Sequence, residues 1–482
     1  MCQLKFKNAY LLNLWYYLQL SNFFNEWNDF LDSSLNKLKP KGDAAMKGFP
    51  KMYVVLTVLA LALVLPSAIW AGGLYLSEVS NAEVGLASAG SAARAQDAST
   101  VFTNPAGMTR LDRPEIELGI QPIYLGLRFD PDSDTHDSNR YLPNGKKAED
   151  GDATDWIPAG STFYVHPLTK DLSVGIGVLG YFGLAIDYGD DWVGRYSVQE
   201  VTLQGMTIMP SVAYRVNNWL SVGAGLNAMY GIFKQDVAVN NNPLGIGSYP
   251  DGQLRLDDED WGFGGLFGVL VEPLKTTRFG LTYMTETEFE FSTTTEFRGL
   301  RPGLETALNN HGLLNTEIDM TITAPQAVML SAYHELTDDV AIMGNVGWQD
   351  WSEYGMMDIS VTAEETTSLT ADLDLKDTWH GAVGAQFKIS EPWLMTFGLS
   401  YDSSMVDDDD RIPLMPVGES WKFGVGSKHK LNKNIDLGVA YEFAYAGDLP
   451  MDLEETELKK RVSGQYSGVH MHFINVAMNW KF

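Results

Sequence analysis

From Glu115 to the C-terminus, apolar and polar residues alternate in segments of roughly ten to fifteen positions, and no stretch holds a helical period. The last segment is the clearest: Ile474, Val476, Met478, Trp480 and Phe482 share one face, and Asn475, Ala477, Asn479 and Lys481 share the other. The pattern predicts strands at about 115–129, 156–165, 172–188, 198–216, 220–239, 261–271, 278–292, 318–334, 340–351, 376–389, 393–402, 421–428, 435–446 and 470–482, fourteen in all. Alternation alone fits either a soluble sandwich or a membrane barrel. The connections separate the two. Every second one is a tight turn, such as Asn217-Asn218-Trp219 or Leu431-Asn432-Lys433-Asn434, whereas the others (130–155, 240–260, 293–317, 352–375, 403–420, 447–469) are long and acidic apart from the short 189–197. Loops segregated by parity, with an even strand count, belong to an outer-membrane barrel; a sandwich has no reason to sort them so. All Trp beyond residue 72 fall at or near predicted strand ends, the height of the headgroups.

The most concentrated apolar run, Met52 to Trp70, follows Lys47 and Lys51 and precedes Ala71-Gly72-Gly73. That order is a secretory signal, which predicts a signal peptide over 46–71 with cleavage after Ala71, rather than a membrane anchor. Met46 is a plausible start, so residues 1–45 read as a start-site artefact or unstructured extension. Composition then narrows the function. With 34 basic and 62 acidic residues the net charge is −28, which argues against nucleic acid, whose phosphates are held by Lys and Arg. The single cysteine, Cys2, precludes a disulfide scaffold.

Between the expected cleavage site and the first strand lies a segment, 72–114, rich in Ala, Ser and Gly: too long for a strand and too small-featured for a domain. A barrel of this size leaves a hole unless something fills it, and small side chains suit a chain coiled inside a lumen. The run Asp97 to Met108, with Asn104, Pro105, Ala106 and Gly107 at its centre, resembles the N-terminal plug signature of the FadL/TodX family of outer-membrane transporters for long-chain fatty acids and aromatic hydrocarbons. Phe182 to Tyr188 with Trp192 to Tyr196 resembles the end of that family's third strand, where an inward kink opens the wall; a weaker match joins Thr323-Ala324-Pro325 to Trp348–Ser352. Tyr181 stands where the family pattern carries an Asn. The resemblance covers essentially all of 72–482. It implies an all-β fold, a transmembrane antiparallel barrel of about fourteen strands over 115–482 with an N-terminal plug over 72–114.

The implied function is passive uptake of hydrophobic compounds, without cofactor, by a monomer embedded in outer-membrane lipid and lipopolysaccharide and inserted by the barrel assembly machinery. Lateral release is assigned to Tyr181, Phe182, Gly183 and Ala185, and a surface groove to Leu244, Ile246, Leu300, Leu304, Leu308, Leu313 and Leu314, the last five near helical spacing. Arg195 and Arg215 are candidate partners for a substrate carboxylate. Alternatives are a barrel enzyme, lipase or protease, and a porin for polar solutes. Gly175 to Gly180 matches G-x-G-x-x-G but lies within a strand, so it is not a dinucleotide site. The Asp407–Asp410 run and the His470/His472 pair lack a ligand set, so no metal site is assigned.

Overall fold

The computed structural model describes residues 72–242, 249–362, 366–455 and 460–482; the extension, signal peptide and cleavage site expected at 1–71 lie outside them, as do Leu244 and Ile246. Fourteen antiparallel strands close into a barrel. They are β1 (Glu115–Gly126), β2 (Asp155–Pro167), β3 (Leu172–Asp187), β4 (Glu200–Asn217), β5 (Leu220–Val239), β6 (Gly252–Leu274), β7 (Thr277–Met284), β8 (Ala327–Glu335), β9 (Val340–Gln349), β10 (Thr378–Ser390), β11 (Trp393–Asp402), β12 (Ser420–Lys430), β13 (Ile435–Leu453) and β14 (Val462–Lys481). Each pairs with the next, and β14 closes on β1 from Lys481↔Glu115 to His470↔Gly126. Tight turns join alternate strands, on the side where both ends of the ring lie.

The alternation is inverted relative to a soluble protein. On β7, Phe279, Leu281 and Tyr283 are exposed, while Arg278 and Thr282 are buried. On β14, Val476 is exposed, while Asn475 and Asn479 are buried. Apolar residues face out and polar residues face in, which is the dyad pattern of a barrel solvated by lipid. Trp156, Trp219, Trp261, Trp379, Trp393 and Trp421 are exposed near strand ends, as the sequence predicts, but Trp192 and Trp351 are fully buried. Trp192 stacks on Tyr188 with ring centroids 4.2 Å apart and so belongs to a packed outer-loop core instead of the lipid interface.

Two predicted strands are each interrupted. The segment 278–292 divides at residues 285–286, and 318–334 at 325–326; the outer pieces, Thr287–Thr294 and Glu317–Ala324, leave the ring and join Met356–Thr362 and Thr366–Asp372 in a separate four-stranded sheet. Phe289 and Phe291 bury one face of this sheet against Phe233 of β5. Several predicted loops are also partly strand, since β6 begins at Gly252 and β13 runs on to Leu453.

Residues 81–110 form short helices, α1 (Asn81–Leu86), α2 (Ser91–Arg94) and α3 (Thr100–Thr103), then a 3-10 turn over Pro105–Arg110. They touch strands on every side of the ring: α1 meets β10 to β14, α2 meets β6 to β9, and the 3-10 turn meets β2 to β6. Close approach depends on bare backbone. A Cβ at Gly398 would stand 1.8 Å from the Leu86 carbonyl oxygen, one at Gly280 1.9 Å from that of Ala92, and one at Gly223 2.4 Å from the Ala106 nitrogen. Overpacking of this kind costs about 1–3 kcal/mol. Gly398→Val is therefore expected to lower the temperature at which the folded barrel loses its distinct gel mobility, whereas a Val at Gly381, where a Cβ meets nothing within 4 Å, leaves it unchanged; equal effects from both would remove the packing argument.

Candidate substrate cavity and wall opening

The wall is interrupted between β2 and β3. β2 pairs with β1 along its length, from Asp155↔Leu125 to Val165↔Glu115, yet it pairs with β3 only from Ser161↔Leu179 to Pro167↔Ser173. Beyond Leu179, β3 turns away while keeping its ladder to β4 as far as Asp187↔Glu200. A bulge at Tyr181 shifts the register between Gly180 and Phe182. Gly183 follows at φ 131°, where a Cβ would lie 2.1 Å from the Leu203 carbonyl oxygen, so only glycine fits. Pro158, which has no N–H for a ladder, stands in the stretch of β2 that β3 abandons. In place of β2, the short strand Gly72–Tyr75 pairs with β3 as Gly72↔Leu184 and Tyr75↔Phe182, and the Leu76 N–H donates to the Tyr181 carbonyl at 2.7 Å.

Beside this break lies a cavity of about 240 Å³. Leu74, Leu76, Leu125, Leu184, Ile186 and Phe473 give it an apolar lining, and Ala185 of the predicted opening is part of it. Tyr181, Phe182 and Gly183 are not. Tyr181 instead stands behind the lining residues Tyr75 and Phe102, with ring centroids 5.4 and 4.9 Å away, and its hydroxyl accepts from Asn227 Nδ2 at 2.8 Å. The cavity's polar end holds His380, Asp402 and Lys422. Lys422 Nζ lies 2.7 Å from Glu78 Oε1 and 3.2 Å from Asp402 Oδ2, and His380 Nδ1 lies 2.7 Å from Asp402 Oδ1. None of these four stood out in the sequence. Only the parity of β12, with Trp421 and Phe423 exposed, signals that Lys422 points inward.

Neither candidate arginine lines the cavity. Arg195 is buried in the outer loops, where Nε donates to Asp251 at 2.9 Å and its other nitrogens to the Asn139, Trp192 and Tyr141 carbonyls and the Tyr196 hydroxyl. Arg215 donates to the Thr109 carbonyl, fastening the end of the N-terminal segment. Of the groove candidates, Leu304 and Leu308 lie on the helix Pro302–Asn310, half-buried like Leu300 and Leu314, while Leu313 is exposed. The helix holds only two of the five, and none of the five lines the cavity.

The Asn104-Pro105-Ala106-Gly107 run is a buried knot. Asn104 Nδ2 donates to the Ala92 carbonyl at 2.7 Å and to the Val269 carbonyl of β6 at 3.0 Å, while its Oδ1 accepts from the Ala106 N–H at 3.0 Å. Pro105 opens the 3-10 turn, where its missing N–H is not needed. Ala106 packs on Ala95 and Leu270, and a Cβ on Gly107 would stand 2.2 Å from Thr100 Oγ1. Nearby, Arg94 Nη2 meets Glu83 at 2.8 Å and Lys428 Nζ meets Asp97 at 2.9 Å. Burial pushes the Glu83 carboxyl up, against the pull of Arg94. Burial would raise Asp97 too, but Lys428 and Arg94 outweigh it and hold that carboxyl well below its usual range.

Asn104→Ala leaves two buried carbonyls and one N–H without this partner, each worth about 1–3 kcal/mol. The expected outcome is an N-terminal segment that limited proteolysis cuts at least tenfold faster, within a barrel of unchanged gel mobility; unchanged protection of the segment contradicts the knot's role.

Residues 62–482 match the model of a family described as outer membrane protein transport protein (OMPP1/FadL/TodX). The long-chain fatty acid transport protein of Shigella flexneri is 28% identical over 420 residues, covering 80% of this chain and 90% of the relative. Outer membrane protein P1 of Haemophilus influenzae is 25% identical over 454 residues, 86% of this chain and 95% of the relative. Among solved structures, a Pseudomonas aeruginosa FadL homologue superposes with a TM-score of 0.75 at 19% identity over 85% of this chain and 100% of its own. The Pseudomonas putida toluene transporter TodX gives 0.62 at 14%, again over 85% and 100%. A match spanning the whole described barrel and its N-terminal segment places the chain in the OMPP1/FadL/TodX family of outer membrane transport proteins.

Proposed function

We propose that this protein carries hydrophobic molecules passively across the outer membrane, with 72–114 as plug and the break between β2 and β3 as the exit into lipid. The observation that carries this reading is the coincidence of three features. An apolar cavity, an interrupted wall and the N-terminal strand that occupies the interruption share Leu74, Leu184, Ala185 and Ile186. A general porin needs an open polar lumen, whereas this lumen holds a buried segment. A lipase or protease is not what the family relationship supports. The relatives' names point to fatty acids and monoaromatic hydrocarbons as the substrate range.

In this reading a greasy solute enters the cavity from the outer side, guided by the loop surface around Leu300, Leu304, Leu308, Leu313 and Leu314. It displaces Tyr75 and leaves beside β3, the Asn104–Gly107 knot holding the plug shut until then. Apolar contact supplies the affinity, at roughly 25 cal/mol per Å² of surface removed from water, and no cofactor is involved. The protein acts as a monomer within lipid and lipopolysaccharide, placed there by the barrel assembly machinery.

The test is uptake of labelled oleate and of toluene by cells lacking their own transporter. Ala185→Trp, which fills the cavity beside the break, is expected to cut uptake of whichever substrate is carried at least fivefold while the barrel remains folded in the membrane. Full uptake by this variant removes the lateral exit; uptake of neither substrate, nor of oleyl alcohol, by the unaltered protein removes the transport reading itself.

A further inference from the structure

The polar end of the cavity decides what class of molecule fits. Among the described residues lining it, Lys422 is the only lysine or arginine, and it is already spoken for. Glu78, whose side chain is wholly buried, sits 2.7 Å from its Nζ, and Asp402 sits 3.2 Å away. Two carboxylates therefore flank one ammonium, and Glu442, buried on the neighbouring β13, adds a third acidic group beside it. His380 is turned to the same group, its Nδ1 lying 2.7 Å from Asp402 Oδ1. A ligand carboxylate entering here would have to displace Glu78, which is fixed by the N-terminal segment on one side of the pair, or remain an unpaired anion beside two others in an enclosed site. Neither arginine named from the sequence is available, as Arg195 and Arg215 are both bound elsewhere.

Acceptors, by contrast, are plentiful at that end. Asp402 Oδ1 meets the His380 ring at 2.7 Å and keeps a second lone pair, whereas Oδ2 is buried against Lys422; the side chain as a whole is 29% exposed. Ser403 and Ser420 also line the cavity there. We propose that the cavity selects uncharged amphiphiles ending in a hydroxyl, long-chain or aromatic alcohols, over carboxylate anions of the same chain. The hydroxyl proton points to Asp402 and the chain runs along Leu74, Leu125 and Ile186. Lys422 is thus a positioning residue: it holds Asp402 in place and is held by Glu78, instead of receiving the substrate. This inference rests on the transport reading above and names its substrate class.

The test is equilibrium binding of three labelled ligands of equal length, dodecanol, dodecane and dodecanoate, to the processed protein in lipid nanodiscs at pH 8. Dodecanol is expected to bind at least tenfold tighter than dodecanoate and severalfold tighter than dodecane. The triple variant Glu78→Gln/Asp402→Asn/Glu442→Gln, which removes the acidic groups around Lys422, is expected to reverse the order of alcohol and acid. Dodecanoate binding as tightly as dodecanol to the unaltered protein overturns the proposal even if the variant fails to fold, and leaves the transport reading standing. Dodecane matching dodecanol overturns the hydroxyl's part. Failure of all three ligands to bind overturns the transport reading along with it.

Discussion

A stretch of irregular backbone enclosed in a barrel has to find partners for its N–H and C=O groups without help from a neighbouring ladder, and most of this structure follows from that need. The wall supplies the partners from its inward face. Gln121 donates to the Glu78 carbonyl, Ser161 to that of Val79, and Arg278 to those of Ala93 and Arg94, while Ser331 and Asn345 accept from the Ala92 and Gly90 N–H groups. The same strands present Gly223, Gly280 and Gly398 where the segment comes closest. The polar and glycine-rich inner face is the counterpart of the segment, and the apolar outer face is the counterpart of lipid. Beyond the short Gly72–Tyr75 ladder on β3, side chains do the binding, so the rest of the segment is held by discrete bonds, each replaceable by water, instead of by a continuous sheet.

That division explains what the sequence reveals. Period-two alternation with inverted polarity and loop length sorted by parity identify the barrel, its strand count and the side on which its ends lie. The same period misses where a strand leaves the ring. Phe289 and Phe291 alternate with Glu288 and Glu290 as regularly as Phe279 and Leu281 alternate with Arg278 and Gly280, so nothing local marks the exit at 285–286. The reason is tertiary: the outer sheet has its own buried face against Phe233, and both environments ask for the same pattern. Trp192 misleads for a similar cause, since an aromatic near a strand end serves a loop core as well as a headgroup layer.

The site was legible in its backbone and illegible in its charges. Gly180 and Gly183 around Tyr181 mark the kink, because a bend that needs φ 131° leaves a glycine behind. Ion pairs across the lumen leave no such trace. Glu78 and Lys422 are 344 residues apart, and only the closed ring puts β12 against the N-terminal segment. Arg195, by contrast, looked available because arginine so often meets carboxylates, but Asp251 and the backbone carbonyls of neighbouring loops already hold it, and sequence does not reveal such partners.

Tyr181 links the two halves of the proposed route. Its backbone forms the bulge that parts β3 from β2, and its carbonyl accepts from Leu76. Its ring touches Tyr75 of the N-terminal strand and Phe102 of α3, and its hydroxyl is fixed by Asn227 of β5. Asn227 also donates to Thr287 Oγ1, at the start of the outer sheet. Any movement that takes Gly72–Tyr75 off β3 must therefore break the edge-to-face contact between Tyr75 and the residue that forms the bulge. An asparagine there would offer no ring for either contact. With tyrosine, three rings, Tyr181, Tyr75 and Phe102, pack together where the N-terminal strand meets the bulge, so one cluster ties that strand to the residue that parts β3 from β2.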